Sequence, residues 1–144
     1  MNDCAFIGNY ANEGGADMRL FAGAIAVLED CSFRYGTVAP ADQATRLKSG
    51  GSVRIMSSTF NCTRCDFSNS SVTDGYGAAI IVEGGSANFV LSRFSNFTNP
   101  SAYGDAHIIH DSVGEGFPIT LDRCFFDDSN QIPALSASAG DGAV

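Results

Sequence analysis

Gly23-Ala24-Ile25-Ala26-Val27-Leu28-Glu29-Asp30-Cys31-Ser32-Phe33 reads as a strand opened by glycine, with apolar residues at Ile25 and Val27, then a polar break and the tripeptide Cys-x-Phe. Alternation at period two is the signature of a β-strand. The tripeptide (Cys/Ser)-x-Phe returns at Cys4-Ala5-Phe6, Ser58-Thr59-Phe60, Ser92-Arg93-Phe94 and Cys124-Phe125-Phe126, so that successive phenylalanines are 27, 27, 34 and 32 residues apart. Upstream of each later copy stands a glycine with alternating apolar positions: Gly51 with Val53 and Ile55, Gly85 with Ala87 and Phe89, Gly116 with Ile119 and Leu121. A second half-motif, Gly with Ala, falls between them at Gly15-Ala16, Gly77-Ala78-Ala79-Ile80, Gly104-Asp105-Ala106 and Gly142-Ala143-Val144.

Each unit therefore holds about three short strands separated by turns. A unit of this size cannot bury its own apolar face and must stack on its neighbours, most simply as in-register parallel coils. The expected fold is all-β: residues 1–144 form one domain of about five coils, 27–34 residues each, either part of a longer solenoid or the protomer of a filament. In (Cys/Ser)-x-Phe the first and third residues share a face. Phe6, Phe33, Phe60, Phe94 and Phe126 are thus expected to form an internal ladder, with Cys4, Cys31 and Cys124 beside them as small buried residues and Ala5, Ser32, Thr59 and Arg93 facing out. A further copy, Cys65-Asp66-Phe67, follows Phe60 by seven residues. Only one of Phe60 and Phe67 can occupy the rung, and the spacing allows either.

Composition agrees with strands and tight turns: 16 Gly and 11 Phe against three Met, two His and no Trp, with 44% hydrophobic residues, enough for a packed core. Eight basic and 16 acidic residues give a net charge of −8, and Lys and Arg are nowhere clustered, which excludes nucleic acid as a partner. No apolar run is long enough for a membrane span, and the start, MNDCAFIGNY, lacks the basic and apolar regions of a signal peptide.

The stretch Phe6-Ile7-Gly8-Asn9-Tyr10-Ala11-Asn12-Glu13-Gly14-Gly15-Ala16, and after it Ala22-Gly23-Ala24-Ile25, resembles the repeats of the polymorphic outer-membrane protein and pectate-lyase-like β-helix superfamily, whose signatures are F-x-x-N and G-G-A-(I/L). Phe33, Phe60 and Phe94 lack the Asn of that signature. The resemblance implies a right-handed parallel β-helix at a cell surface or outside the cell, without specifying an activity.

Three N-x-(S/T) sequons, at Asn61, Asn69 and Asn96, follow (Cys/Ser)-x-Phe copies, where the chain is expected to turn out to solvent, and mark candidate glycosylation sites. Five cysteines leave at least one unpaired, and Cys62-Thr63-Arg64-Cys65 is expected to take part in a disulfide if the chain is exported; a lone CxxC is half a zinc site at most. His107 and His110, flanked by Asp105 and Asp111, fall three apart on an expected strand and so face opposite sides, which makes solvated histidines the better reading than a metal pair. Asp127-Asp128 diverge for the same reason, and the companion motifs of β-helical hydrolases and the stacked Asp of calcium-dependent lyases are absent from the sequence. No catalytic residue, metal or cofactor is expected.

The expected function is that of a non-catalytic extracellular structural or adhesive β-helix, glycosylated, and able to form fibrils by head-to-tail contact with further copies, or else seated on the neighbouring coils of a longer chain. Glycans are a further candidate partner. The alternative is a polysaccharide-processing enzyme or carbohydrate-binding module of the same superfamily. The stacking expectation rests on the absence of a polar cap before Cys4-Ala5-Phe6 or within Ala139-Gly140-Asp141-Gly142-Ala143-Val144.

Overall fold

The computed structural model describes residues 1–39, 50–73, 79–98, 108–111, 118–127 and 135–137. Among them there is no helix, and every strand pairing is parallel. The chain passes through four sheets in fixed order. The first circuit lays down β1 (Ala5–Ile7), β2 (Tyr10–Ala11), β3 (Met18–Leu20) and β4 (Ile25–Glu29). The second adds β5 (Ser32–Arg34), β6 (Thr37–Val38), β7 (Val53–Met56) and β8 (Thr59–Thr63); the third adds β9 (Asp66–Ser68), β10 (Ser71–Val72), β11 (Ile80–Glu83) and β12 (Ser86–Val90). Then come β13 (Arg93–Ser95), β14 (Ile108–Asp111), β15 (Ile119–Asp122), β16 (Phe125–Asp127) and β17 (Leu135–Ala137).

Strands from successive circuits pair in order: β1-β5-β9-β13-β16 in a phenylalanine sheet, β2-β6-β10 in a short sheet, β3-β7-β11-β14-β17 in an aliphatic sheet, and β4-β8-β12-β15 in an asparagine sheet. A full circuit holds four strands, where the repeat in the sequence suggested three. This arrangement of parallel sheets is compatible with a parallel β-helix.

The core is built from the inner rows. In the phenylalanine sheet the rings of Phe6, Phe33, Phe67, Phe94 and Phe126 stack at 4.7, 4.7, 4.9 and 4.8 Å with planes within 8° of parallel. Each stacked pair adds about 0.5–1.5 kcal/mol to plain burial. Phe67 occupies the rung expected for Phe60, because β9 pairs in register with β5 and β13 through Phe33↔Phe67↔Phe94. The rungs are consequently 27, 34, 27 and 32 residues apart. Phe60 lies instead on β8, between Ala26 and Ala87, and is fully buried on the asparagine sheet's inner row. From that row Phe89 sets its ring edge-on to Phe67 and Phe94, at 6.0 and 5.4 Å, closing the interior between two sheets.

Two further expectations shift with this register. Val53 and Ile55 belong to the aliphatic sheet, aligned with Met18 and Leu20, and are not counterparts of Ile25 and Val27. On β4 it is Ala26 and Leu28 that face the core, while Ile25 and Val27 stand 72% and 60% exposed on the outer row.

The corners explain the tripeptide. A residue in the left-handed region, Asp3, Asp30, Arg64, Leu91 or Arg123, precedes each Cys or Ser at the passage into the phenylalanine sheet. The Cys or Ser then turns its side chain back on the carbonyl two residues earlier: Cys4 to Asn2 (3.5 Å), Cys31 to Glu29 (3.3 Å), Ser92 to Val90 (3.1 Å) and Cys124 to Asp122 (3.7 Å). The carbonyls of Glu29, Val90 and Asp122 each also accept a backbone N–H from a neighbouring circuit, so the small side chain supplies a second bond at the corner. Ser58 makes the same bond to Met56 (2.8 Å) behind a left-handed Ser57, but at the passage into the asparagine sheet. The tripeptide Ser58-Thr59-Phe60 is therefore a like corner in a different place.

The Gly14-Gly15-Ala16 turn also has a packing cause. Gly15 (φ +75°) donates its N–H to the Gly50 carbonyl at 2.7 Å, and a Cβ on it would lie 2.9 Å from the Arg54 nitrogen of the next circuit.

Candidate functional site

The outer rows carry the polar chemistry. On the phenylalanine sheet Arg34 reaches Asp66 on the next strand at 2.9–3.0 Å, and Arg93 lies 3.5 Å from Asp127 with its guanidinium 5.6 Å from the Phe125 ring centre. That contact partly covers Phe125, the one aromatic residue at the middle position of the tripeptide. Asp127 is thus balanced by an arginine across the strands; Asp128, its expected neighbour, lies outside the described residues. At the corner below, Arg64 holds both Asp30 (2.7 Å) and Glu29 (2.6 Å), and its hydrogen bonds keep the Asp30 carboxyl below the usual carboxylate range. Arg123 does the same for Asp122.

All three sequons share one geometry. The middle residue points in and is buried, Cys62, Ser70 or Phe97, while the Asn and the hydroxyl residue on either side face outward together. The structure corrects one placement: Asn61 is not in a turn but at the centre of β8, aligned with Val27 and Asn88. Asn69 and Asn96 do stand at a turn, in the left-handed region just after β9 and β13, and Asn96 Nδ2 donates to Asn69 Oδ1 across the circuits. Asn tolerates this conformation better than most residues because its short amide bonds locally. Asn69 and Asn96 are therefore corner residues as well as sequon residues.

Cys62 and Cys65 form a disulfide with their Cα atoms 6.1 Å apart, across the corner from β8 to β9. Cys4, Cys31 and Cys124 are free thiols; Cys31 is buried, and burial holds the partly covered Cys124 thiol above its ordinary range. No group of three metal-ligating side chains occurs among the described residues. His110 lies on β14, whereas His107 and Asp105 are outside the described residues.

Three features had no clear signal in the sequence. Asp17 sits between the short and aliphatic sheets, bonded through Oδ1 to Asn9 Nδ2 (2.8 Å), with Oδ2 enclosed and lacking a hydrogen-bond partner among the described residues. Burial pushes its carboxyl up to about 6 against the opposing pull of Asn9 and Ser52. Asn9 is the Asn of the F-x-x-N match, so that signature was its only trace. Arg54, only 4% exposed on an outer row, is paired with Glu83 at 2.5 Å. A shallow groove of about 230 Å³ runs along Gly23, Ser57, Gly84 and Gly85 beside the outer row of the asparagine sheet.

No helix among the described residues is long and apolar enough to cross a membrane. No protein-family model matches the chain, and comparison with curated proteins and with solved structures finds no match either.

Proposed function

We propose that the chain is a right-handed parallel β-helix serving as a non-catalytic structural or adhesive element outside the cell or on its surface, with glycans at Asn61, Asn69 and Asn96. The single-helix reading draws support from the unchanging order in which the chain visits its four sheets; the right hand follows from the strong preference of parallel crossovers. The outward pairing of Asn and hydroxyl in all three sequons carries the glycoprotein reading. Acidic side chains engaged by arginine, as at Asp66 and Asp127, favour a structural surface over a hydrolytic one.

The first circuit is where we place a partner. Met1, Ile7, Tyr10, Phe21, Ile25 and Val27, six of the nine large apolar residues exposed among the described ones, lie on it. Those on strands are spread over three sheets, but all six sit on the circuit that forms the edge of every sheet. Further coils, from a second copy or a longer chain, would cover them.

The glycoprotein reading is tested by intact-mass measurement of the protein from its native source, before and after enzymatic deglycosylation. Loss of mass, with Asn converted to Asp at one or more of the three positions, is expected. Unmodified Asn61, Asn69 and Asn96 would overturn it.

A further inference from the structure

Cys4, Cys31, Cys65, Ser92 and Cys124 occupy one column, the residue that opens each strand of the phenylalanine sheet. Backbone bonds lock the register: Ser32 N–H to Cys4 O (2.8 Å), Asp66 N–H to Cys31 O (3.0 Å), Arg93 N–H to Cys65 O (2.9 Å) and Phe125 N–H to Ser92 O (2.9 Å). Adjacent members are therefore about 4.8 Å apart along the stack, inside the Cα separation of roughly 4.4–6.8 Å that a disulfide spans, and their parallel Cβ atoms need to draw together to about 3.5–4.5 Å for the bond to form. Cys65 is already oxidised, bonded to Cys62, and its next neighbour Cys31 is a free thiol. Cys4, beyond Cys31, is free as well and only partly buried.

We infer that Cys62, Cys65, Cys31 and Cys4 form a disulfide relay, in which one disulfide can occupy three successive positions between the core and the rim. In the first step the Cys31 thiolate attacks Cys65 Sγ, the Cys62–Cys65 bond breaks, and Cys62 leaves as a thiolate that takes up the proton Cys31 gave up. In the second, the Cys4 thiolate attacks Cys31 Sγ, giving Cys4–Cys31 and returning Cys65 to the thiol. Each step exchanges one S–S bond for another, so no oxidant or reductant is consumed. The reduced end state is prepared for: Cys65 Sγ lies 3.6 Å from the Thr63 carbonyl, where the thiol would make the same corner bond as Cys31 and Cys4. The partly exposed Cys4–Cys31 pair is where a small external thiol such as glutathione would enter or leave. Cys124 stands apart, because Ser92 separates it from Cys65 by two rungs, about 9.6 Å, too far for a disulfide.

The experiment holds the wild-type chain in a glutathione redox buffer, quenches it with acid, alkylates free thiols and maps the disulfides by peptide mass. Species linked Cys4–Cys31 or Cys31–Cys65 are expected beside Cys62–Cys65, with Cys124 alkylated throughout. Cys62→Ser should shift the population to Cys31–Cys65, two hydrogens lighter than the reduced variant, and adding Cys31→Ser should abolish that link. Cys62–Cys65 as the sole disulfide of the wild-type chain at every buffer ratio overturns the relay, whether or not the variants fold. So does a folded Cys62→Ser chain in which Cys31 and Cys65 remain free thiols.

Discussion

Ser92 shows what the corner asks of a side chain. Its Oγ donates to the Val90 carbonyl at 3.1 Å and accepts from the Cys65 N–H at 3.2 Å, in a site almost closed to solvent. Ser92→Ala would take the Cys65 N–H's partner away and leave the Val90 carbonyl with the Arg64 N–H alone, and should cost about 1–2 kcal/mol. Ser92→Cys, measured under reducing conditions, should lose less than half of that, because a thiol at this corner makes the bond to the carbonyl two residues back in three other circuits. Denaturant melts of the two variants check this, and equal losses would show that the corner bond contributes nothing. The Cys/Ser alternation in the sequence was legible as a small inward residue. Its hydrogen-bonding role was not, because the left-handed residue before it varies from Asp to Arg to Leu and gives no common signal.

The elements were legible where a side chain repeats and obscure where the same local chemistry serves two corners. Ser58-Thr59-Phe60 and Cys65-Asp66-Phe67 both place a left-handed residue, a small Ser or Cys and a buried ring in sequence, so spacing alone could not say which phenylalanine stacks on Phe33. The pairing of β5 with β9 decides it, and the longer step then falls in the second circuit. The outer apolar residues Ile25 and Val27 misled in a similar way: their alternation is real, but Ala26 and Leu28 fill the inner row. The other corner of the phenylalanine sheet invites a substitution. Gly8, Tyr35, Asn69 and Asn96 occupy equivalent left-handed positions, with φ of 66°, 60°, 55° and 55°. Tyr35 is 57% exposed, so it gives up little burial, and Tyr35→Asn would relieve its backbone and extend the Asn69–Asn96 amide ladder by one rung. We expect a gain of about 1 kcal/mol, seen as a higher melting temperature. A lower one would mean that the tyrosine ring packs better than its exposure implies.

At the scale of the molecule, the four sheets all end on the same circuit. β1, β2, β3 and β4 are the edge strands on one side, and residues 1–3 cover only the end of β4, through the Met1, Asp3 and Glu29 backbone bonds. An open parallel edge presents unpaired N–H and C=O groups that complement the opposite edge of another copy, and here the edge is ringed by Met1, Ile7, Tyr10, Phe21, Ile25 and Val27. Burying these side chains and pairing the edge groups both favour addition of a further coil, while a net charge of −8 on each copy opposes it. Salt shortens the range of that repulsion, to about 10 Å at 0.1 M and about 3 Å at 1 M, without weakening the backbone or apolar contacts. The 144-residue chain should therefore assemble into elongated particles as ionic strength rises, and a divalent cation that bridges carboxylates should act at lower concentration. Five stacked strands at about 4.8 Å give an axial repeat of roughly 20–25 Å. Light scattering across a salt series measures the onset, and micrographs measure the repeat. Replacing Ile25 and Val27 together by Thr, which keeps strand propensity but removes apolar area, should raise the salt required. A monomer at every ionic strength, at high protein concentration, would rule out assembly through this edge.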